Sequence, residues 1–207
     1  MGKRCGVPFV VRPMEERDIP AVMAIERVSF SAPWPESAYR YELRYGADSR
    51  FFVLQPAGDT EGGQGSRLWS VVRRRGASPI VGYAGLRFRP GRAHLSTLAV
   101  HPDWRGQGLG AFLLLTILEE AVRAGVRRVT LEVRPSNRVA QQLYAKIGFV
   151  YIGVRPGYYR DGEDAWLMAL MLDGETVARL RTMRRAAEAQ VEKVKGLSHQ
   201  GVDDDKR

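Results

Sequence analysis

Apolar and polar positions recur along this chain in two rhythms, and the changes from one to the other mark out its elements. Phe9, Val10 and Val11 open with a strand-like run, and Asp18 then stands at an N-cap position before Ile19-Pro20, with Val22, Ile25 and Val28 on one helical face. Pro33 and Pro35 bias their predecessors away from the helical region, so residues 31–35 form a break and a second helix is predicted from Pro35 to about Tyr45. β-rich runs follow at residues 51–55, 68–72, 80–88 and 93–100, separated by turn-forming residues, the pattern of an antiparallel meander. Residues 56–66, rich in Gly and short polar side chains, read as a loop within it. From Gly108 the rhythm turns helical through Leu109, Phe112, Leu113, Ile117, Ala121 and Val122, until Gly125 supplies a stop. Residues 127–133 alternate, with Val129, Leu131 and Val133 on one face and Arg128, Thr130 and Glu132 on the other. Ser136 is a candidate cap for a helix striped by Val139, Ala140, Leu143, Tyr144 and Ile147 and ended by Gly148. Strands at 149–154 and 165–171 remain, and after Asp173 a last helix carries a thin stripe of Val177, Leu180, Met183, Ala187, Val191 and Val194 beside Arg179, Arg181, Arg184 and Arg185. The order βααββββαβαββ is α+β.

A chain of 207 residues suits one domain. It divides into an extension over residues 1–8, a domain over 9–172, and a basic helical tail over 173–207 that reads as disordered from Gly196. The longest strongly apolar stretch, residues 111–118, is far below the roughly 20 residues needed to span a bilayer, and no signal segment opens the chain. A soluble, cytoplasmic protein is expected. Residues 3–6 lack the Ser or Thr of a myristoylation signal. Cys5 is the single cysteine, which excludes an internal disulfide and a cysteine-based metal cluster. The net charge of +9 comes mainly from 27 Arg against 5 Lys, scattered with no run longer than Arg73-Arg74-Arg75. Without interleaved aromatics that pattern argues against nucleic acid as the main partner, and an acidic or phosphorylated ligand accounts for the charge equally well.

The candidate chemistry concentrates where the meander meets the next helix. Leu98-Ala99-Val100 ends a strand, and Arg105-Gly106-Gln107-Gly108-Leu109-Gly110 opens a helix. Glycines there let backbone N–H groups close on an anion, the helix N-terminus adds unpaired donors, and Arg105 offers a charge-assisted bond to a phosphate. Residues 106–111 also satisfy the G-x-G-x-x-A dinucleotide fingerprint, but the spacer His101-Pro102-Asp103-Trp104 and the antiparallel strands before it fit that unit badly. A purely structural glycine turn is the other reading.

These residues resemble the acetyl-CoA-binding motif of the GNAT N-acetyltransferases, with Arg105, Gly108 and Gly110 matching [Q/R]-x-x-G-x-[G/A]. Residues 131–137, Ala140, Leu143-Tyr144, Gly148-Phe149 and 158–165 are similar to RimI-like ribosomal-protein alanine acetyltransferases and archaeal N-terminal acetyltransferases, over about Val10 to Leu172. The resemblance implies a mixed, mostly antiparallel sheet flanked by helices, acetyl-CoA as co-substrate, no metal, and a protein N-terminus as acceptor, possible ribosomal targets included. A small-molecule amine or lysine acetyltransferase is the alternative, and outside enzymes an acetyl-CoA-sensing binding protein.

An α-amine has an ordinary pKa near 8, so a base must take a proton from its ammonium form. Glu132, on the less apolar face of its strand, matches the family's base, the competing reading being a carboxylate paired with Arg128 or Arg134. Tyr144 matches the tyrosine that protonates the departing thiolate. The oxyanion donors are implied on a bulged strand at Leu98, Ala99 and Val100, and Asn137 matches a residue that bonds the cofactor, though it also suits a helix start. His94 resembles a histidine that assists as base in the archaeal enzymes. RimI-like enzymes usually lack it, so Glu132 and His94 both stand as candidates. Trp34 and Glu36 fall in one implied acceptor loop and Tyr158 and Tyr159 in another. His101 and His199 suggest no partner.

Overall fold

The computed structural model describes residues 9–57 and 80–192. Outside them lie the expected strand at 68–72, residues 58–66 of the expected loop, the Arg73 to Arg75 run, Cys5, Val194, His199 and the stretch from Gly196. The elements are β1 (Phe9–Pro13), α1 (Ile19–Ser29), α2 (Glu36–Tyr45), β2 (Ser49–Pro56), β3 (Gly82–Arg89), β4 (Arg92–Val100), α3 (Leu109–Arg123), β5 (Arg128–Val133), α4 (Arg138–Ile147), β6 (Val150–Arg155), β7 (Ala165–Met171) and α5 (Gly174–Val191), with short 3-10 turns at Glu16–Asp18 and Pro102–Trp104.

The strands form one sheet in the order β1-β2-β3-β4-β5-β7-β6. Every pairing is antiparallel except β4 with β5, which run parallel because α3 crosses between them. β2 shows how the sheet is filled. Phe51 and Val53 enter a core with α1 and α2, while Phe52 and Leu54 enter the larger core with α3, α4 and α5. A strand buried on both faces has no polar side, which is why residues 51–54 read as a continuous apolar run. α3 is buried nearly all round, at Leu113, Leu114, Leu115, Ile117 and Leu118, because α5 covers the side turned away from the sheet.

α5 lies antiparallel along α3. Arg184 reaches Glu119 near the end of α3 at 3.4 Å, while Gln190, in the last turn of α5, rests against Gly108 at its start. Leu180, Ala187 and Val191 are buried in the main core. At about 27 Å, α5 is long enough to run the length of α3.

Several local expectations need correction. Asp18 stands at the N-cap of α1, but its carboxylate bonds no N–H of that helix. It accepts the Glu15 N–H at 2.8 Å and a two-pronged pair from Arg12 at 2.6 and 2.8 Å, a charged donor winning over the helix end. Val28 is 56% exposed, since nine residues past Ile19 is about half a turn away from the buried face. Asn137, not Ser136, caps α4, its Oδ1 accepting the Ala140 N–H at 3.1 Å, while Ser136 gives its own N–H to Glu163. Val139 is exposed. Gln141 is buried instead, because its amide donates to the carbonyls of Arg134 and Pro135, at 2.8 Å each.

Candidate active site

The site begins where the sheet divides. β4 and β5 pair only from Arg92↔Arg128 to Leu95↔Leu131, and beyond that point β4 stays with β3 and β5 with β7. The cause is a single extra residue. Thr97 faces Gly85 and Leu95 faces Leu86, so Ser96 is bulged out, and a bulge bends and twists its strand. The bulge therefore sits at Ser96 and not at Leu98 to Val100, which form the arm of β4 beyond the fork.

Behind this arm is the turn into α3. Gly106 and Gly108 both take positive φ, +76° and +82°, on either side of Gln107. Space beside Gly106 is open, and Gly110 lies inside the first turn of α3 in ordinary contact distance of Leu143 and Val100. α4 and α5 each spend a side chain, Asn137 and Asp173, on their first-turn N–H groups, whereas α3 has a glycine at its N-cap and no side-chain acceptor. Leu109 and Gly110 thus present backbone donors and the positive end of a helix dipole, which fits a phosphate. Arg105 does not extend toward them. Its Nε donates to the Val100 carbonyl and its Nη2 to Ser29 Oγ, both at 2.9 Å, tying the turn to β4 and α1. His101 accepts the Asp103 N–H in the same turn.

On the face of the fork, Glu132 and His94 meet. Glu132 Oε2 lies 3.0 Å from His94 Nε2, Glu132 Oε1 lies 3.2 Å from Arg155, and His94 Nδ1 lies 3.3 Å from Thr130 Oγ1. The partners of Glu132 are thus His94 and Arg155, not Arg128 or Arg134. Burial alone would raise the Glu132 carboxyl, but the His94 hydrogen bond and the charges of His94 and Arg155 outweigh it and hold the group below its ordinary value. Tyr144 is 7% exposed, packs edge-on against Phe149, and has its phenol pushed upward by burial, with Tyr159 adding to the effect.

Two loops flank this centre. In the β6–β7 loop Tyr158 is exposed and stands edge-to-face with Tyr159, ring centroids 5.1 Å apart. Arg134 lies 3.8 Å above the Tyr159 ring and pairs with Asp161 and Glu163 at 2.8 and 2.6 Å, pinning the loop to the end of β5. Burial raises the Tyr159 phenol to about 12, and raises Tyr158 with help from the Glu132 charge. In the α1–α2 connection the Trp34 N–H is held by Glu26, while Glu36 pairs with Arg40 at 2.6 Å on the surface of α2. The reading of the sequence missed Arg155 and Glu26 as partners in the site, and gave Thr130 only a place on the face of Glu132 and Arg134 only as a partner for Glu132 rather than for Asp161 and Glu163. Only Arg155 had a detectable signal, as a lone charge ending an apolar strand. Among the described residues no cluster of His, Cys, Asp and Glu could hold a metal, and no helix is long and apolar enough to cross a membrane.

Comparison with known proteins gives one consistent picture. Residues 19–149 match the family model described as Acetyltransferase (GNAT) family. The ribosomal protein bS18-alanine N-acetyltransferase of Escherichia coli K12 is 31% identical over 160 residues, 76% of this chain and 93% of that protein. The N-alpha-acetyltransferase RimI of Mycobacterium tuberculosis is 35% identical over 141 residues, 66% of this chain and 74% of that one. The crystal structure of the ribosomal-protein-S18-alanine N-acetyltransferase from Escherichia coli superposes with a TM-score of 0.63 at 31% identity, covering 81% of this chain and 97% of the other.

Proposed function

This chain belongs to the Acetyltransferase (GNAT) family and is an acetyl-CoA-dependent N-acetyltransferase of the RimI type, and from that premise we propose that it is a cytoplasmic enzyme acetylating the N-terminal α-amine of a protein. An alanine-type terminus, like that acted on by the bS18-alanine N-acetyltransferase of Escherichia coli, is the first candidate, with broader N-termini behind it. Supporting this most directly is the half-buried Glu132–His94 contact at 3.0 Å, set in the fork between a phosphate-suited helix end and two loops.

Acetyl-CoA supplies an activated acyl group and a thiolate leaving group. The donors at Leu109 and Gly110, with the glycine turn from Gly106, hold its phosphates, and the free amide nitrogen of Asn137 adds a bond nearby. Arg105 shapes the turn from outside the phosphate site, through Val100 and Ser29. Glu132 takes the proton of the acceptor ammonium, directly or through water, with His94 sharing the charge so that carboxylate and imidazole act as one unit. Freed of that proton, the amine forms a bond to the acyl carbon as the carbon–sulfur bond breaks. The N–H groups of Leu98 and Val100 on the arm receive the charge that grows on the carbonyl oxygen, while that of Ala99 between them belongs to the ladder with β3. Tyr144 gives a proton to the departing sulfur, and the second proton shed by the acylated nitrogen passes, directly or through water, back to the Tyr144 oxygen. Trp34 and Glu36 on one side, and Tyr158 and Tyr159 on the other, hold the peptide backbone.

Purified protein, acetyl-CoA and a library of peptides with free N-termini, read by mass spectrometry, test the proposal. N-terminal acetylation with a preference for small first residues is expected. Acetylation confined to internal lysines or to small amines would overturn the N-terminal assignment, and tight acetyl-CoA binding with no product from any amine would make the protein a sensor.

A further inference from the structure

The buried stripe of α1 contains one charge. After Ile19, Val22 and Met23 the next helical step inward is Glu26, only 2% exposed. A carboxylate in that position costs several kcal/mol unless donors meet it. Two do: the Trp34 N–H donates to Oε1 at 2.8 Å and the Tyr39 hydroxyl donates to Oε2 at 3.2 Å. Tyr39 is itself fully buried, with its ring among Trp34, Phe51 and Tyr83. Burial pushes the Glu26 carboxyl upward, against the two hydrogen bonds. An apolar side chain here would complete the stripe at no such cost, so packing gives no reason for the acid.

The ends of this hydrogen-bonded chain supply the reason. Trp34 belongs to residues 30–35, the connection on one side of the site, and the Tyr39 ring stands edge-on to Tyr83, whose partner on β4 is Ala99 in the arm beyond the Ser96 bulge. We propose that Glu26 is a positioning residue for the acceptor: through Trp34 on one oxygen and Tyr39, packed on Tyr83 beside Ala99, on the other, it fixes the acceptor loop to the strand arm that carries the oxyanion donors. This rests on reading Phe30 to Tyr39, which includes this connection, as an acceptor loop. Glu26 touches no reacting atom. It sets the distance between the loop that holds the peptide and the arm that receives the carbonyl, while α3, whose first turn offers the phosphate donors, packs in the core on the opposite face of the sheet.

Glu26→Met tests this, because methionine keeps the length, suits the apolar stripe and lacks both acceptors. It is expected to fold with an undiminished thermal midpoint, to raise the peptide KM about tenfold or more, and to leave the acetyl-CoA KM within about twofold. Glu26→Gln should recover most of the loss, its carbonyl accepting the Trp34 N–H while its amide donates to the Tyr39 oxygen. Hydrogen exchange gives a readout independent of any acceptor: residues 30–39 should lose protection in Glu26→Met while α3 keeps its own. Unchanged peptide KM and unchanged exchange in Glu26→Met would overturn the proposal, as would equal rises in both KM values. If the wild-type protein acetylates no peptide, the proposed function fails by itself. Exchange then decides the tether alone, lost protection upholding it and retained protection ending it.

Discussion

At the scale of single residues, the decisive relation is that His94 and Glu132 touch. Read from the sequence they are rival bases 38 positions apart; in the fold they share a hydrogen bond across the parallel pair β4 and β5. Groups that act as a unit lose their function together, so losses on mutation should not add. Glu132→Gln is expected to lower kcat by about 10² to 10⁴-fold with acetyl-CoA affinity kept, and adding His94→Ala should slow that variant by little more. Independent, additive losses would separate the two. Full pH-rate profiles on one peptide assign the proton: an unaltered low-pH limb in Glu132→Gln, together with its loss in His94→Ala, would make the histidine the base. Acid also acts on the pair itself. A carboxyl held below its unfolded value contributes stability above that value and loses it as pH falls through the folded one, so the Glu132 contacts weaken toward low pH. Residue types and family resemblance were enough to single out Glu132, His94 and Tyr144. They could not show Arg155, which reaches Glu132 across the intervening strand β7, nor Glu26, which reads as an ordinary helix charge until the burial of its face is known.

At the scale of elements, most of the fold was legible. Strand alternation, helical stripes and the stops at Gly125 and Gly148 carry their signals in a few neighbouring residues. The Ser96 bulge was not, since one extra residue in a strand leaves no mark in composition, yet it opens the fork on which the site depends. The choice between Ser136 and Asn137 as cap was equally hidden, both being good capping residues one position apart. The turn into α3 makes a sharper claim. Gly108→Val forces a side chain into positive φ, at a cost of about 1–2 kcal/mol, and its Cβ would lie 3.0 Å from the Gln190 amide. Calorimetry with coenzyme A should find affinity reduced by at least about tenfold, and Gln190→Ala, which removes the crowding, should not restore it. Undiminished affinity in a folded Gly108→Val protein would place the phosphates elsewhere, and affinity for NAD in the wild type would revive the dinucleotide reading.

At the scale of the whole molecule, α5 is a working part of the core. Leu180 is almost fully buried among the residues that cover α3, so Leu180→Ala should cost about 2–4 kcal/mol in urea unfolding, against less than about 0.5 for the exposed Arg181→Ala. Equal, small effects would mean that α5 is only loosely applied. The sheet it helps to cover is less continuous than its seven strands suggest. Two half-sheets, β1 to β4 and β5 with β7 and β6, are stitched by the four pairs from Arg92 to Leu95 alone. In mechanical terms that short seam is the crease of the molecule, where its two covers share the fewest backbone bonds and are held together by the helices packed across them. A molecule lying in the fork, bonded to β4 on one side and touching β5 on the other, acts as a bolt through both covers, and the protein should be stiffest when that bolt is in place.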